Sequence, residues 1–239
     1  MTETTIALVT GANKGLGLTS ARRLARSGWT VLIGARDAER GAKAVAELAA
    51  DGLSAELVAL DVTSDESVAA AADQVGRAHG RLDVLINNAG VIGSRVPPLE
   101  TGPDEMRACY ETNVFGPVRV TRAFLPLLRR SARPRIVMVS SGMGSLAVTG
   151  DRDRVESTVI SLTYPSSKSA LNMLTTQYAK ALPGFRVNAV DPGYTATDLN
   201  GNSGPQTVEE GTDAIVQLAA VGPDGPTGGF FDRSGPVPW

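Results

Sequence analysis

Thr10-Gly-Ala-Asn-Lys-Gly-Leu-Gly17 joins an apolar run, Ile6 to Thr10, to a stretch with helical periodicity, Thr19 to Arg26. Three glycines, Gly11, Gly15 and Gly17, stand between the two. Glycine permits a tight turn and lets another group approach the backbone closely. The start of a helix offers unpaired N–H groups and the positive end of its dipole, which suits a pyrophosphate. The spacing is GxxxGxG rather than GxGxxG. The opening of the chain therefore reads as a strand, an anion-binding turn and a helix.

The same alternation continues to the end. Apolar strand-like runs cover Thr30 to Ala35, Glu56 to Leu60, Val84 to Ile86, Arg135 to Val139, Arg186 to Val190 and Gly229 to Asp232. Helical stretches cover Glu39 to Ala50, Glu66 to Ala78, Asp104 to Arg130 (interrupted at Gly116-Pro117), Ser167 to Ala181 and Val208 to Ala219. Strands that are apolar without alternation are buried on both faces, which means a parallel sheet covered by helices. The expected fold class is α/β, a doubly wound parallel sheet with helices on both faces, in one domain spanning 1–239. Three softer segments, Arg95 to Pro103, Thr149 to Ile160 and Asn200 to Gln206, each follow the carboxyl end of a strand, where such sheets bind ligands.

Composition narrows the function. The 239 residues are 42% hydrophobic and 20% charged, with a net charge of −2. No basic face recruits nucleic acid or anionic lipid. No apolar run reaches the ~20 residues of a spanning helix, and the opening residues do not resemble a signal peptide. The one cysteine, Cys109, cannot form an internal disulfide, which fits the cytoplasm. No His/Cys/carboxylate cluster suggests a metal, and His79 reads as a surface helix end.

Four motifs occur in an order that resembles the short-chain dehydrogenases/reductases: Thr10-Gly-Ala-Asn-Lys-Gly-Leu-Gly17, Asn87-Asn-Ala-Gly90, Tyr164-Pro-Ser-Ser-Lys168 and Asp191-Pro-Gly193. The resemblance covers essentially the whole chain and implies a Rossmann-type sheet. Within the family the chain is similar to the carbonyl-reductase-like branch, through Lys14, Gly34-Ala-Arg-Asp37, Pro192-Gly-Tyr-Thr-Ala-Thr-Asp-Leu199 and Trp239. The resemblance implies a dinucleotide on Gly11, Asn13, Gly15, Leu16 and Gly17 in the loop, and on Asp61 and Val62 after the third strand. Asp61 would contact the adenine amino group, or else cap the helix that follows. Asn87, Ala89 and Gly90 would run beneath the adenosine ribose, and Pro192, Gly193, Thr195 and Thr197 would close the site.

The residue ending the second strand separates the two nicotinamide dinucleotides. An acid there holds a ribose 2′-OH; a base suits a 2′-phosphate. Here it is Arg36, with Lys14 placed to add a second charge, and Asp37 falls one residue late, as a helix cap. The expected cofactor is NADPH/NADP+.

Reducing a carbonyl leaves a developing alkoxide that needs a proton donor and hydrogen bonds. Tyr164 and Lys168 are four residues apart on a predicted helix and share a face. A nearby ammonium is expected to lower the phenol's pKa. A hydroxyl from Ser140-Ser141 could face the tyrosine; the family pattern selects Ser141, with Ser140 as the alternative. Pro117 cannot donate to the carbonyl of Asn113, four residues back. In the family that carbonyl holds a water linking the lysine, here Lys168, to solvent.

The expected activity is reduction of a ketone or aldehyde to an alcohol by Asn113, Ser141, Tyr164 and Lys168, with Tyr164 and Lys168 also touching the cofactor. The substrate is a small-molecule carbonyl compound. Arg95, Met143 and Tyr194 are pocket candidates by position. Ser141 and Tyr164 lie further apart than is usual in the family; the added residues, around Asp151-Arg-Asp-Arg-Val-Glu156, form a charged surface loop or reshape the substrate entrance, and favour a monomer over a homodimer. Three alternatives stand beside this one: an alcohol dehydrogenase, a reductase of carrier-bound β-ketoacyl groups docking on Arg129, Arg130, Arg133 and Arg135, and a non-catalytic NADP(H)-binding sensor or scaffold.

Overall fold

The computed structural model describes residues 4–239. Eight strands form one sheet in the order β3-β2-β1-β4-β5-β6-β7-β8. They are β1 (Ile6–Thr10), β2 (Thr30–Ala35), β3 (Ala55–Ala59), β4 (Val84–Asn87), β5 (Arg135–Val139), β6 (Arg186–Val190), β7 (Phe230–Asp232) and β8 (Gly235–Pro236). The first seven run parallel, so their carboxyl ends share one edge. The order reverses between β1 and β4, which opens a crevice at that edge.

Strand geometry sorts the core. Alternate residues point to opposite faces. Leu8, Leu32, Leu85, Ile136 and Val187 pack on one face, and Ala7, Val9, Ile33, Val84, Ile86 and Val137 on the other. The first face is covered by α3 (Asp65–His79), α5 (Gly116–Leu128) and α7 (Thr163–Ala181), through Val68, Val75, Phe124 and Leu171. The second is covered by α1 (Gly15–Arg26), α2 (Ala38–Ala50) and α9 (Asp213–Ala219), through Leu24, Leu48 and Ile215. Among the described residues no helix is long and apolar enough to cross a membrane.

The doubly wound parallel sheet is as expected, with local differences. β8 runs antiparallel to β7, after a turn in which Asp232 Oδ1 accepts the N–H groups of Ser234 and Gly235. The edge strand β3 is not buried on both faces; Glu56 there is exposed and meets His79 at 3.2 Å. The long helical stretch divides into α4 (Pro103–Tyr110), a wide turn over Glu111–Phe115 and α5. In that turn the Gly116 N–H reaches back five residues to the Glu111 carbonyl. A proline at 117, which can make no backbone N–H bond, fits such a bulge. α7 starts at Thr163, earlier than its apolar spacing indicates, because Pro165 suits a first turn. The 149–160 segment begins at the end of α6 (Leu146–Gly150) and contains a short turn, Val155–Thr158; α8 (Val208–Gly211) is separate from α9.

Phe124 is fully buried between the sheet and α3. Phe124→Ala should cost about 3–5 kcal/mol of stability, read as a lowered urea midpoint with an unchanged m-value.

Candidate active site

The glycine turn is built to leave its backbone bare. Gly11 and Gly15 adopt φ of +64° and +56°, a region that L side chains rarely occupy. A Cβ on Gly17 would lie 2.6 Å from Asn88 Nδ2 and 2.7 Å from the Gly11 carbonyl. Asn88 fastens the turn by donating to the carbonyls of Thr10 at 2.8 Å and Gly11 at 3.3 Å. The N-cap of α1 is Lys14, which makes no side-chain capping bond, and the first turn holds no acid. Those N–H groups and the dipole end are thus available to an anion.

Beside the turn lies a cationic corner. Lys14, Arg36 and Arg40 line one cleft of about 690 Å³ with Asp61. Asp37 caps α2 by accepting the Arg40 N–H at 3.1 Å, and its other oxygen lies 3.3 Å from the Arg40 guanidinium. Asp61 does not cap α3; Ser64 does. Asp61 Oδ1 instead accepts the N–H and hydroxyl of Thr63 at 2.9 and 2.7 Å. Burial pushes the Asp61 carboxyl up, but these bonds and the charges of Arg36 and Arg119 bring it below its ordinary value.

Where β5, α7 and the loop after β4 meet, the reactive side chains converge. Tyr164 is partly buried and lines the cleft, and the Ser141 side chain acts on its phenol. Ser140 is otherwise engaged: its hydroxyl donates to Asn172 Oδ1 at 2.5 Å. Ser140 lines the cleft with its hydroxyl turned to Asn172, whereas Ser141 and Asn113 stand just outside the lining, Ser141 Oγ accepting the Met143 N–H at 3.2 Å and acting on the Tyr164 phenol. Lys168 Nζ lies 5.5 Å from the centre of the Tyr164 ring and donates to the Val139 carbonyl at 2.8 Å. Asn113 uses its whole amide: Oδ1 accepts from Val91 N–H at 2.9 Å, and Nδ2 donates to the Val91 carbonyl at 2.8 Å and to Ser167 Oγ at 3.0 Å. A Cβ on Gly90 would sit 3.5 Å from Asn113 Oδ1 and 3.7 Å from Lys168 Nζ, so both flank that glycine.

The protein's own groups raise the phenol pKa rather than lower it. Burial pushes Tyr164 up to about 12; the Ser141 bond lowers it, while Asp191 raises it further. Lys168 Nζ lies 5.5 Å from the centre of the ring, and burial pushes the ammonium itself down to about 8. Desolvation outweighs attraction here, because each group loses water and gains few compensating bonds.

The sequence matches the short chain dehydrogenase family over residues 5–207. This chain belongs to that family. It is 35% identical to (-)-isopiperitenone reductase from Mentha piperita, over 95% of this chain and 96% of that protein. Among solved structures it is similar to salutaridine reductase from Papaver somniferum, with a TM-score of 0.81 at 30% identity, over 95% of this chain and 99% of that one. It is also similar to an NADPH-bound carbonyl reductase from chicken fatty liver, with a TM-score of 0.87 at 28% identity, over 99% of this chain and 100% of the other.

Most of the residues expected at a short-chain dehydrogenase site share the one cleft. Gly11, Asn13, Lys14, Gly15, Leu16 and Gly17 form its floor; Arg36, Asp61 and Val62 border one end. Ala89, Gly90, Tyr164, Lys168, Pro192 and Thr197 border the other. Some expected residues fall elsewhere. Asn87 is buried and turned from the cleft, with Nδ2 on Thr121 Oγ1 and Met138 Sδ, both at 3.3 Å. Gly193 and Thr195 shape the loop behind: Gly193 donates to Asp191 Oδ1, and the buried Thr195 hydroxyl donates to the Pro192 carbonyl. Arg95, Met143 and Tyr194 do not line the cleft, and Tyr194 bonds Ser203 at its exposed end. Arg135 leaves the proposed basic patch; it is buried, stacks over Trp29 and donates to the Ala219 carbonyl at 2.7 Å.

Asn88 and Arg40 line the cleft and were not anticipated. Asn88 could have been found by parity, since adjacent residues at a strand end face opposite ways. Arg40 could have been found as a first-turn residue of the helix that Asp37 caps, beside the end of β2. Gly17→Ala should destabilise the protein by about 1–3 kcal/mol, because the methyl would meet the Gly11 and Ala12 backbone as well as the Asn88 side chain; chemical denaturation would read it.

Proposed function

We propose that this short-chain dehydrogenase is an NADPH-dependent reductase of ketones or aldehydes. The observation that carries this is geometric: Tyr164 and Lys168 line the same cleft as the bare glycine turn, with Lys168 Nζ 5.5 Å from the centre of the Tyr164 ring. The bare glycine turn fits a pyrophosphate, and Lys14, Arg36 and Arg40 fit a 2′-phosphate. When bound, the dinucleotide supplies a hydride. The chicken carbonyl reductase, similar over nearly the whole chain, holds NADPH.

The residues divide the remaining work. Ser141 and Tyr164 hold the carbonyl oxygen, and Tyr164 gives it a proton as negative charge develops. With its pKa raised to about 12, the phenol keeps that proton ready across the neutral range. Lys168, kept largely charged at neutral pH by a pKa of about 8, returns a proton to the phenol. The Asn113 carbonyl, which Pro117 cannot cap, is the place for a water that connects Lys168 to solvent. The same reading takes the protein as a cytoplasmic monomer, in keeping with its buried free cysteine and the charged 151–156 segment.

NADPH consumption over a panel of ketones and aldehydes, with NADH alongside, tests the assignment; no oxidation of NADPH by any member would refute it. Tyr164→Phe should lower turnover about 10²–10⁴-fold while NADPH still binds, as fluorescence titration would show. The pH profile follows from the same groups. Reduction should be level up to about pH 8 and fall above it as Lys168 loses its proton. Oxidation of the product alcohol with NADP+, which needs Tyr164 to accept a proton, should instead climb with pH. Initial rates in both directions from pH 6 to 10 give the comparison.

A further inference from the structure

One ion pair ties the two lips of the cleft. Lys14 Nζ lies 2.9 Å from Asp198 Oδ2, although the residues are 184 positions apart in the chain. Lys14 stands at the start of α1, and Asp198 opens a short turn, Asp198–Asn200, after β6. The second lip is braced from within. Thr195 pairs with Gln206, Thr197 N–H donates to Asn200 Oδ1, and Asn200 Nδ2 donates to the Thr195 carbonyl. The Thr197 methyl lies 3.8 Å from where a Cβ of Gly15 would be, so this lip sits directly on the glycine turn. Asp198 is therefore presented to Lys14 by a built loop.

Its location is what gives the pair meaning. Asp198 and Lys14 line the main cleft and also an adjoining hollow with Arg40 and Lys43. A carboxylate thus occupies the cationic corner assigned above to a 2′-phosphate. The two side chains are 56% and 62% exposed, and an ion pair so open to water is weak. A phosphate monoester carries nearly two negative charges and three acceptor oxygens. It is the stronger partner for one ammonium.

We infer that Asp198 is a specificity-determining residue: it competes with the 2′-phosphate of NADP(H) for Lys14, so that binding exchanges one anion for the other and unties the 197–199 lip from the glycine turn. NADH has no 2′-phosphate and makes no such exchange. Asp198 then holds NADP(H) affinity below what the cations alone would give. This rests on the NADP(H) reading above.

Calorimetric titration of the full chain with NADPH and NADH tests it. Asp198→Asn should tighten NADPH about 2–5-fold and leave NADH within that margin of error. Lys14→Ala should weaken NADPH about 10-fold. In the Lys14→Ala background the gain from Asp198→Asn should shrink below about 1.5-fold, because the competed group is gone. Equal gains in both backgrounds, equal tightening of NADH, or no gain for NADPH would overturn the inference while leaving the cofactor reading intact. A wild-type protein that binds neither dinucleotide would overturn both.

Discussion

Lys168 is held at the end of the sheet by a hydrogen bond to the Val139 carbonyl, and the site is arranged around that bond. A buried ammonium is costly unless it finds partners. Val139 ends β5, so the acceptor is supplied by the sheet itself rather than by a mobile loop. The bond fixes the rotation of α7, and α7 in turn places Tyr164 one turn earlier on the same face. Ser141 follows β5 by two residues and reaches the phenol from the other side. Asn113 closes the third side by clamping Val91 with both halves of its amide, which holds the chain after β4 against Gly90. Three distant stretches are thus registered on one sheet edge, with tolerances set by strand pairing.

Much of this is legible in the sequence, because the signals are local or periodic. The strands announce themselves as short apolar runs, and parallel pairing follows from their lack of alternation. The glycine turn is readable because Gly11 and Gly15 need backbone angles that other residues avoid. Tyr164 and Lys168 are readable as a pair because helical spacing puts them on one face. What stays hidden depends on tertiary facts. Whether Asn87 or Asn88 faces the cleft turns on the residue at which β4 ends. The antiparallel β8 is two residues long, too short to show a pattern. The burial of Arg135 depends on Trp29 and the Ala219 carbonyl, which lie far along the chain on either side.

The pKa of the tyrosine shows the same division. Sequence spacing correctly brings an ammonium near the phenol, and charge attraction then predicts a lowered pKa. The sign of the result depends on how much water each group loses, and no spacing reveals that. In the folded chain Lys168 is buried and Tyr164 partly so, and desolvation moves both toward their neutral forms: the phenol up and the ammonium down. The protein groups alone therefore favour a tyrosine that holds its proton.

Asp191 adds to that tendency from beneath. Burial raises its own carboxyl, while the N–H groups of Gly193 and Gly142 draw it back down. Its charge disfavours a phenolate at Tyr164 and favours an ammonium at Lys168. Both effects keep protons on the groups that must deliver them. The buried acid in the Asp191-Pro-Gly193 turn thus does more than shape a loop: its charge reaches both members of the Tyr164–Lys168 pair.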